Sequence, residues 1–96
     1  MKITSNNENG NLNIALDGRL DTSTSPELDS FISENYGGHG LVVIDCEKLE
    51  YISSAGLRVL LATHKKTKGS MKLTNVCELV MEVLELTGFV DILVIE

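Results

Sequence analysis

Segments with helical spacing of apolar residues alternate with short apolar segments along the whole chain, and this order most constrains the fold. Strands that alternate with helices form a largely parallel sheet joined by right-handed crossovers. The predicted fold class is therefore α/β, in the order β-β-α-β-α-β-α-β, with a mixed sheet that begins with an N-terminal β-hairpin. The predicted strands are residues 2–5, 12–16, 41–44, 71–76 and 90–95.

Capping residues and glycines mark the predicted helix ends. Pro26 suits a first helical turn, and Glu27 stands three residues after Thr24, as in a capping box. Glycines end helices because they tolerate positive φ. The three helices are expected to start at Thr24 or Ser25, at a Ser54 cap and near Leu79, and to stop at Gly37, Gly69 and Gly88.

The segments between these elements are expected to be turns or loops. Asn and Gly within residues 7–10 favour a hairpin turn. Residues 17–21 and 45–52 are interpreted as loops. Residues 41–44 are apolar at every position, which is typical of a central strand covered on both faces.

Length and charge limit the possible functions. The 96 residues suffice for one domain, residues 1–96, and 43% of them are hydrophobic, so a core can form. The net charge of −6 argues against nucleic acid or an anionic membrane surface as a partner. We expect no signal peptide and no membrane span. Cys46 and Cys77 are too far apart for a CxxC pair and are expected to be reduced core residues, so a cytoplasmic protein is expected.

Enzyme motifs are missing from the sequence. There is no Walker loop, dinucleotide fingerprint or G-x-S-x-G elbow. The possible bases are His39 and His64, and His64 would lie roughly 15 Å along a helix from Ser54, too far for a hydrogen bond. No metal-ligand spacing is present. We therefore expect a non-enzyme without a cofactor or metal; a hydrolytic or acyl-transfer serine is the disfavoured alternative.

The segment around Ser54 leaves two interpretations open. A serine at a helix start can simply cap the helix. Alternatively, Ala55 and Gly56 leave the first turn nearly bare, and a helix-interior glycine costs about 1 kcal/mol relative to alanine, which suggests access for another protein. A phosphoryl group on Ser54 would meet the free N–H groups of the helix start. Acidic residues expected nearby would repel its charge; they are Asp45, Glu47 and Glu50.

Residues 51–61, YISSAGLRVLL, closely resemble the phosphorylation-site segment of STAS domains, in particular of bacterial anti-sigma factor antagonists. Residues 18–22, GRLDT, followed by residues 26–28, PEL, are similar to the family's G-x-L-D loop and first helix. The apolar strand ending at Asp45 and residues 86–89, LTGF, also match. The resemblance spans nearly the whole chain, and the two motifs at this spacing form a stronger signal than either alone.

The resemblance implies a partner-switching cycle. In the family, the unphosphorylated antagonist binds an anti-sigma factor that is also a GHKL-type serine kinase, phosphorylation ends the binding, and a PP2C-type phosphatase resets it. By position, Ser54 matches the phosphoacceptor, Gly56 the small residue behind it, and Asp21 the loop aspartate that contacts the kinase. The kinase would supply ATP, magnesium and the catalytic base. The implied docking surface comprises Asp21, Thr22, Ser53, Ala55, Gly56, Leu57 and Arg58, although Leu57 could equally be core.

Two departures from the family pattern affect this interpretation. Sporulation-type members have Asp immediately before the phosphoserine, where this chain has Ser53, a less favoured second acceptor. Many members have a helix after the last strand, whereas this sequence ends at Glu96. One sheet face is therefore expected to be exposed, or to be covered by a partner or a second copy of the chain. The alternative function is a STAS subunit, without a phosphate cycle, of a larger assembly such as a lipid-transport ATPase complex.

Overall fold

The computed structural model describes residues 1–96 and contains one five-stranded sheet. The strands lie side by side in chain order, β1-β2-β3-β4-β5; the first pair is antiparallel and the other pairs are parallel. This arrangement confirms the predicted mixed α/β fold and the order of its elements. The strands are β1 (Lys2–Glu8), β2 (Asn11–Leu20), β3 (Val42–Ile52), β4 (Met71–Thr74) and β5 (Val94–Ile95), and the helices are α1 (Ser25–Asn35), α2 (Ser54–Lys66) and α3 (Glu78–Leu86).

All three helices cover the same face of the sheet. From β2 to β5, each strand lies next to the strand that follows it in the chain. The connections therefore all move across the sheet in the same direction, and because each is right-handed, every helix lies on the same side. The hydrogen-bonded row Ile14, Ile44 and Leu73 is almost completely buried on this side. Leu28, Leu60 and Leu84 supply buried side chains from the three helices to the same core.

The other face of the sheet is open, which corrects the prediction for residues 41–44. Val42 and Ile44 are buried, but Val43 is only half-buried and shares its row with Asn13 and Lys72. A chain that winds in one direction has no helix to place on this second face. The run of apolar residues therefore indicated a central strand but not a strand covered on both sides.

The first hairpin turns within the predicted residues 7–10 but more tightly than predicted, because β1 continues past residue 5 through Asn7 and Glu8. Strands β1 and β2 are joined by two residues, Asn9 with φ 54° and Gly10 with φ 83°. Positive φ at both positions is the type I′ geometry, whose twist matches that of the flanking strands.

Two strands continue through segments predicted to be loops. Residues 17–20 belong to β2, and residues 45–52 belong to β3, because the pairing of these strands continues to Leu20 and Ile52. The register shifts between Ala15 and Asp17, and again between Gly18 and Arg19. These irregularities break the alternation that identifies a strand in a sequence.

The final strand is shorter than predicted. Residues 90–95 were expected to be extended, whereas a 3-10 helix occupies Phe89–Asp91 and only Val94–Ile95 pairs with β4. Gly88, with φ 80°, ends α3 as predicted. No helix in the structure is long and apolar enough to cross a membrane.

Both cysteines are free thiols on the helix-covered side of the molecule. Cys46 is buried in β3, and this burial raises the pKa of its thiol to about 12. Cys77 precedes α3 and is partly exposed, with its Sγ donating to the Leu49 carbonyl oxygen at 3.4 Å. The predicted packing of both residues against the core is confirmed.

Candidate functional site

The two predicted site segments meet at the carboxyl edge of the sheet. Leu20 and Ile52 are paired at the ends of β2 and β3, and the Ser53 N–H donates to the Leu20 carbonyl oxygen at 2.9 Å. Asp21 follows Leu20 directly, and Ser54 begins α2. The strand pairing therefore places the Asp21 turn beside the start of α2, as expected for segments that leave neighbouring parallel strands.

Ser53, and not Ser54, caps α2. The Ser53 Oγ accepts from the Gly56 N–H at 3.4 Å, and the Ser53 carbonyl oxygen accepts from the Leu57 N–H at 2.9 Å. Ser54 is the first helical residue; its side chain is exposed and makes no hydrogen bond within the protein. The predicted cap was thus wrong by one residue, and the correction leaves the Ser54 hydroxyl free.

Gly56 is a packing residue. A Cβ atom at this position would lie 2.8 Å from Leu20 Cγ and 2.9 Å from Ile52 Cγ1, closer than real side chains approach. The interpretation that glycine here provides access for another protein is therefore wrong, because Gly56 is buried against the sheet. Leu57 is also buried, with 5% of its surface exposed, and belongs to the core; of the small residues in this turn, Ala55 is partly exposed.

The Asp21 turn is held by a reciprocal pair of hydrogen bonds. The Asp21 Oδ1 accepts from the Thr24 N–H at 3.1 Å, and the Thr24 Oγ1 accepts from the Asp21 N–H at 2.8 Å. This is a capping box between Asp21 and Thr24, in place of the box predicted between Thr24 and Glu27. Donation by the Ser23 hydroxyl at 2.8 Å and by the Thr24 N–H lowers the pKa of Asp21, so this carboxylate is charged at neutral pH. Thr22 lies at the exposed tip of the turn.

Arg19 is a site-edge residue that the sequence did not single out. Its Nε lies 4.0 Å from the Asp21 Oδ2, and its guanidinium carbon lies 4.2 Å from the centre of the Tyr51 ring. Arg19 and Tyr51 are paired across β2 and β3. The pairing of Arg19 with Tyr51 could be predicted only from the register of β2 on β3, and the register shifts in β2 cannot be seen in the sequence. Arg58 is exposed four residues after Ser54, one helical turn along the same face of α2.

The acidic residues expected near Ser54 do not all lie there. Because β3 is extended from Val42 to Ile52, Asp45 is roughly 20 Å from the end of the strand at about 3.3 Å per residue. That distance exceeds the screening length of about 8 Å at physiological salt. Asp45 and Glu47 therefore cannot repel a charge on Ser54 appreciably. Glu50, two residues before the end of β3, and Asp21 are the carboxylates near this edge.

The start of α2 presents backbone N–H groups that are free to bind an anion. The Leu57 N–H is bonded to Ser53 and the Gly56 N–H is held weakly by the Ser53 hydroxyl, which leaves the N–H groups of Ser54 and Ala55 without an intrahelical partner. His64 lies ten residues further along α2, roughly 15 Å at the helical rise. The exposed Ser54 hydroxyl is therefore beyond hydrogen-bond reach of His64.

Comparison with known proteins identifies the family of this chain. The STAS domain family model matches residues 2–96. The chain belongs to the STAS domain family. A relative from Bordetella bronchiseptica, named as the putative anti-sigma factor antagonist BtrV, is 35% identical over 96% of this chain and 83% of its own length. The resemblance seen in the sequence is thereby confirmed.

Solved structures show the same fold. An anti-sigma factor antagonist from Mycobacterium paratuberculosis superimposes with a TM-score of 0.86 and 22% identity, over 98% of this chain and 83% of that one. The unphosphorylated form of the antagonist SpoIIAA gives a TM-score of 0.82 and 18% identity, over 99% and 88% of the two chains. At these identities the structures establish the STAS fold of this protein.

Proposed function

We propose that this STAS protein is an anti-sigma factor antagonist, active in the cytoplasm, whose binding is switched off by phosphorylation of Ser54. The observation that carries the proposal is the free, exposed Ser54 hydroxyl at the first position of α2, beside the Asp21 turn. The similarity to the antagonist BtrV supports the regulatory class.

The unphosphorylated protein docks on an anti-sigma factor through the exposed part of the sheet edge. This surface comprises Asp21, Thr22, Ser54 and Arg58, with Ser53 and Ala55 partly exposed between them. Gly56 and Leu57 support it from beneath, since both are buried. The ionised Asp21 and the cationic Arg58 give the surface both signs of charge, which favours one docking orientation.

The anti-sigma factor is also a GHKL-type kinase in this proposal. The γ-phosphoryl group of ATP passes to Ser54 Oγ, ADP leaves, and the serine proton goes to a base of the kinase, which also supplies magnesium. The product carries about −1.5 to −2 charges at pH 7. The N–H groups of Ser54 and Ala55 tolerate the phosphate in the free protein. In the complex, however, it would have to be desolvated beside the Asp21 carboxylate, which favours release.

A PP2C-type phosphatase completes the cycle by hydrolysing the phosphoserine ester. The protein itself is a non-enzyme in this proposal, because the Ser54 hydroxyl makes no hydrogen bond to a side chain that could activate it. Ser53 is the less suitable acceptor since its Oγ already accepts from the Gly56 N–H.

The decisive experiment is phosphorylation with the cognate kinase and ATP, followed by mass spectrometry of the tryptic peptide of residues 49–58, which contains both serines. Phosphate on Ser54 is expected in the wild type and in Ser53→Ala, and none in Ser54→Ala. Ser54→Asp is expected to bind the kinase at least tenfold more weakly, or about 1.4 kcal/mol.

Other outcomes would contradict specific parts of the proposal. Phosphate on Ser53 would move the acceptor by one residue. Tight kinase binding by Ser54→Asp would exclude switching by charge. A protein that the kinase neither binds nor modifies, but that copurifies with a permease and an ATPase, would instead be the transport-complex subunit. Covalent labelling of Ser54 by a serine-hydrolase probe would contradict the absence of catalysis.

A further inference from the structure

Helix α3 carries an exposed apolar stripe formed by residues that are not part of the Ser54 site. Leu79, Val83 and Leu86 are spaced by four and three residues, so they line one face of the helix. Leu79 is 54% exposed and Leu86 is 80% exposed, and Val83 is half-buried between them. The core is formed by a different face of α3, through Val80 and Leu84.

A stripe of carboxylates runs beside the apolar stripe. It is formed by three exposed glutamates, each one residue before a member of the apolar stripe; they are Glu78, Glu82 and Glu85. None of them takes part in an ion pair, because the two ion pairs of the structure join Arg19 to Asp21 and Lys72 to Glu96. The outer surface of α3 is therefore half apolar and half anionic.

The whole segment that contains α3 has this character. Residues 77–96 include five acidic residues and no lysine or arginine, although the chain has eight lysines and arginines elsewhere. The four large hydrophobic side chains that are strongly exposed all lie in this segment; they are Leu79, Leu86, Ile92 and Val94. Because contiguous exposed apolar surface is typical of interaction sites, the stripe on α3 is the candidate interaction surface in this segment.

We propose that the outer face of α3 docks a basic amphipathic helix of a partner protein. An apolar stripe flanked by unpaired carboxylates is complementary to a helix whose leucine-like stripe lies beside lysines or arginines. A second copy of the same face would oppose glutamates to glutamates, and an anionic membrane or nucleic acid would also be repelled. This docking face is distinct from the Ser54 site, which is formed by the start of α2 and the Asp21 turn.

A synthetic helical peptide can test the proposal with the full-length protein. The probe carries leucines at i, i+4 and i+7 with a neighbouring stripe of lysines and a fluorescent label, and binding is followed by anisotropy. The wild type is expected to bind this peptide and not the version with glutamate in place of lysine. Leu79→Ser combined with Leu86→Ser should weaken binding at least tenfold, and since both side chains are exposed, an unchanged thermal melt is expected to show that the variant folds.

The charge requirement has a matched control on another helix. Glu82→Lys combined with Glu85→Lys should weaken binding at least tenfold, whereas two changes of the same kind on α1, Glu27→Lys and Glu34→Lys, should change it less than twofold because those exposed residues lie on another helix. Ser54→Asp should bind as the wild type does. An equal loss from the α1 pair would reveal nonspecific attraction to an acidic protein and overturn the proposal.

Self-association is the competing occupant of this face. Sedimentation equilibrium of the free protein is expected to give the same molecular mass for the wild type and for Leu86→Ser. A wild-type dimer that Leu86→Ser converts to monomer would assign the stripe to a second copy of the chain and refute the basic-helix assignment, as would loss of peptide binding in Ser54→Asp.

Discussion

Replacing Gly56 by alanine tests how α2 is seated on the sheet. The added Cβ would lie 2.8 and 3.0 Å from Leu20 Cγ and Cδ2 and 2.9 Å from Ile52 Cγ1, so something must move. Leu20 is completely buried and Ile52 is 3% exposed, so neither side chain has free space into which it can turn. Overpacking of this kind costs typically about 1–3 kcal/mol. The higher helix propensity of alanine returns about 1 kcal/mol.

The net expectation is a loss of up to roughly 2 kcal/mol in the free energy of unfolding. For a domain of this size that corresponds to a decrease in Tm of up to about 15 °C. Urea titration followed by circular dichroism measures the free energy, and a thermal melt measures Tm. If Gly56 served only to give a partner access, alanine would instead stabilise the free protein by about 1 kcal/mol and weaken only its binding.

A double-mutant cycle identifies the atoms responsible. Two of the three short approaches involve Leu20, so the cost of Gly56→Ala should largely disappear in a Leu20→Ala background, although Leu20→Ala itself costs about 2–5 kcal/mol. Additive effects of the two substitutions would refute the steric explanation. So would a Gly56→Ala protein that is more stable than the wild type.

Two further predictions concern the thiols and the Asp21 turn. Titration of the native protein with a thiol reagent at pH 8 should modify Cys77 and leave Cys46 unmodified. The reason is that burial raises the pKa of Cys46 to about 12 and keeps its thiol protonated. Rapid modification of both residues in the folded protein would contradict this. Hydrogen bonds lower the pKa of Asp21 below its usual 3.8 in the folded protein, so the charged carboxylate stabilises the folded state above pH 3.8. This contribution to the free energy of unfolding is lost as the pH falls through the lowered pKa. The difference in stability between wild type and Asp21→Asn should therefore narrow below pH 3.8, and a difference that stays constant down to pH 2 would show that the carboxylate charge does not matter.

The sequence predicted the elements whose periodicity is undisturbed. Leu12, Ile14 and Leu16 alternate cleanly and were placed on the correct buried face of β2. Beyond Leu16 the register shifts move successive side chains out of alternation, so the last residues of β2 resemble a loop. The end of β3 was missed because only Cys46, Leu49 and Ile52 are buried there, at intervals of three residues that do not indicate a strand.

The sequence predicted which segments form the site but not the contacts that hold those segments together. A pattern of two adjacent serines before a helix cannot say which one caps, because either side chain can accept from a backbone N–H in the first turn. The role of Gly56 depends on atoms of Leu20 and Ile52, and Leu20 lies 36 positions earlier in the sequence. Local reasoning could therefore identify an unusual glycine but assigned it the wrong cause.

The contact between Gly56 and Leu20 also explains why the two sequence motifs are informative together. Leu20 belongs to the G-x-L-D segment and Gly56 to the serine segment, and the glycine allows α2 to lie against that leucine. The Ser53 N–H donates to the Leu20 carbonyl oxygen at 2.9 Å, so backbone and side-chain contacts fix the same two segments. Asp21 and Ser54 each follow directly after a residue in this contact. Their relative position is therefore set by the packed core beneath them, and a change at Gly56 is expected to displace the Asp21 turn and the proposed phosphoacceptor relative to each other.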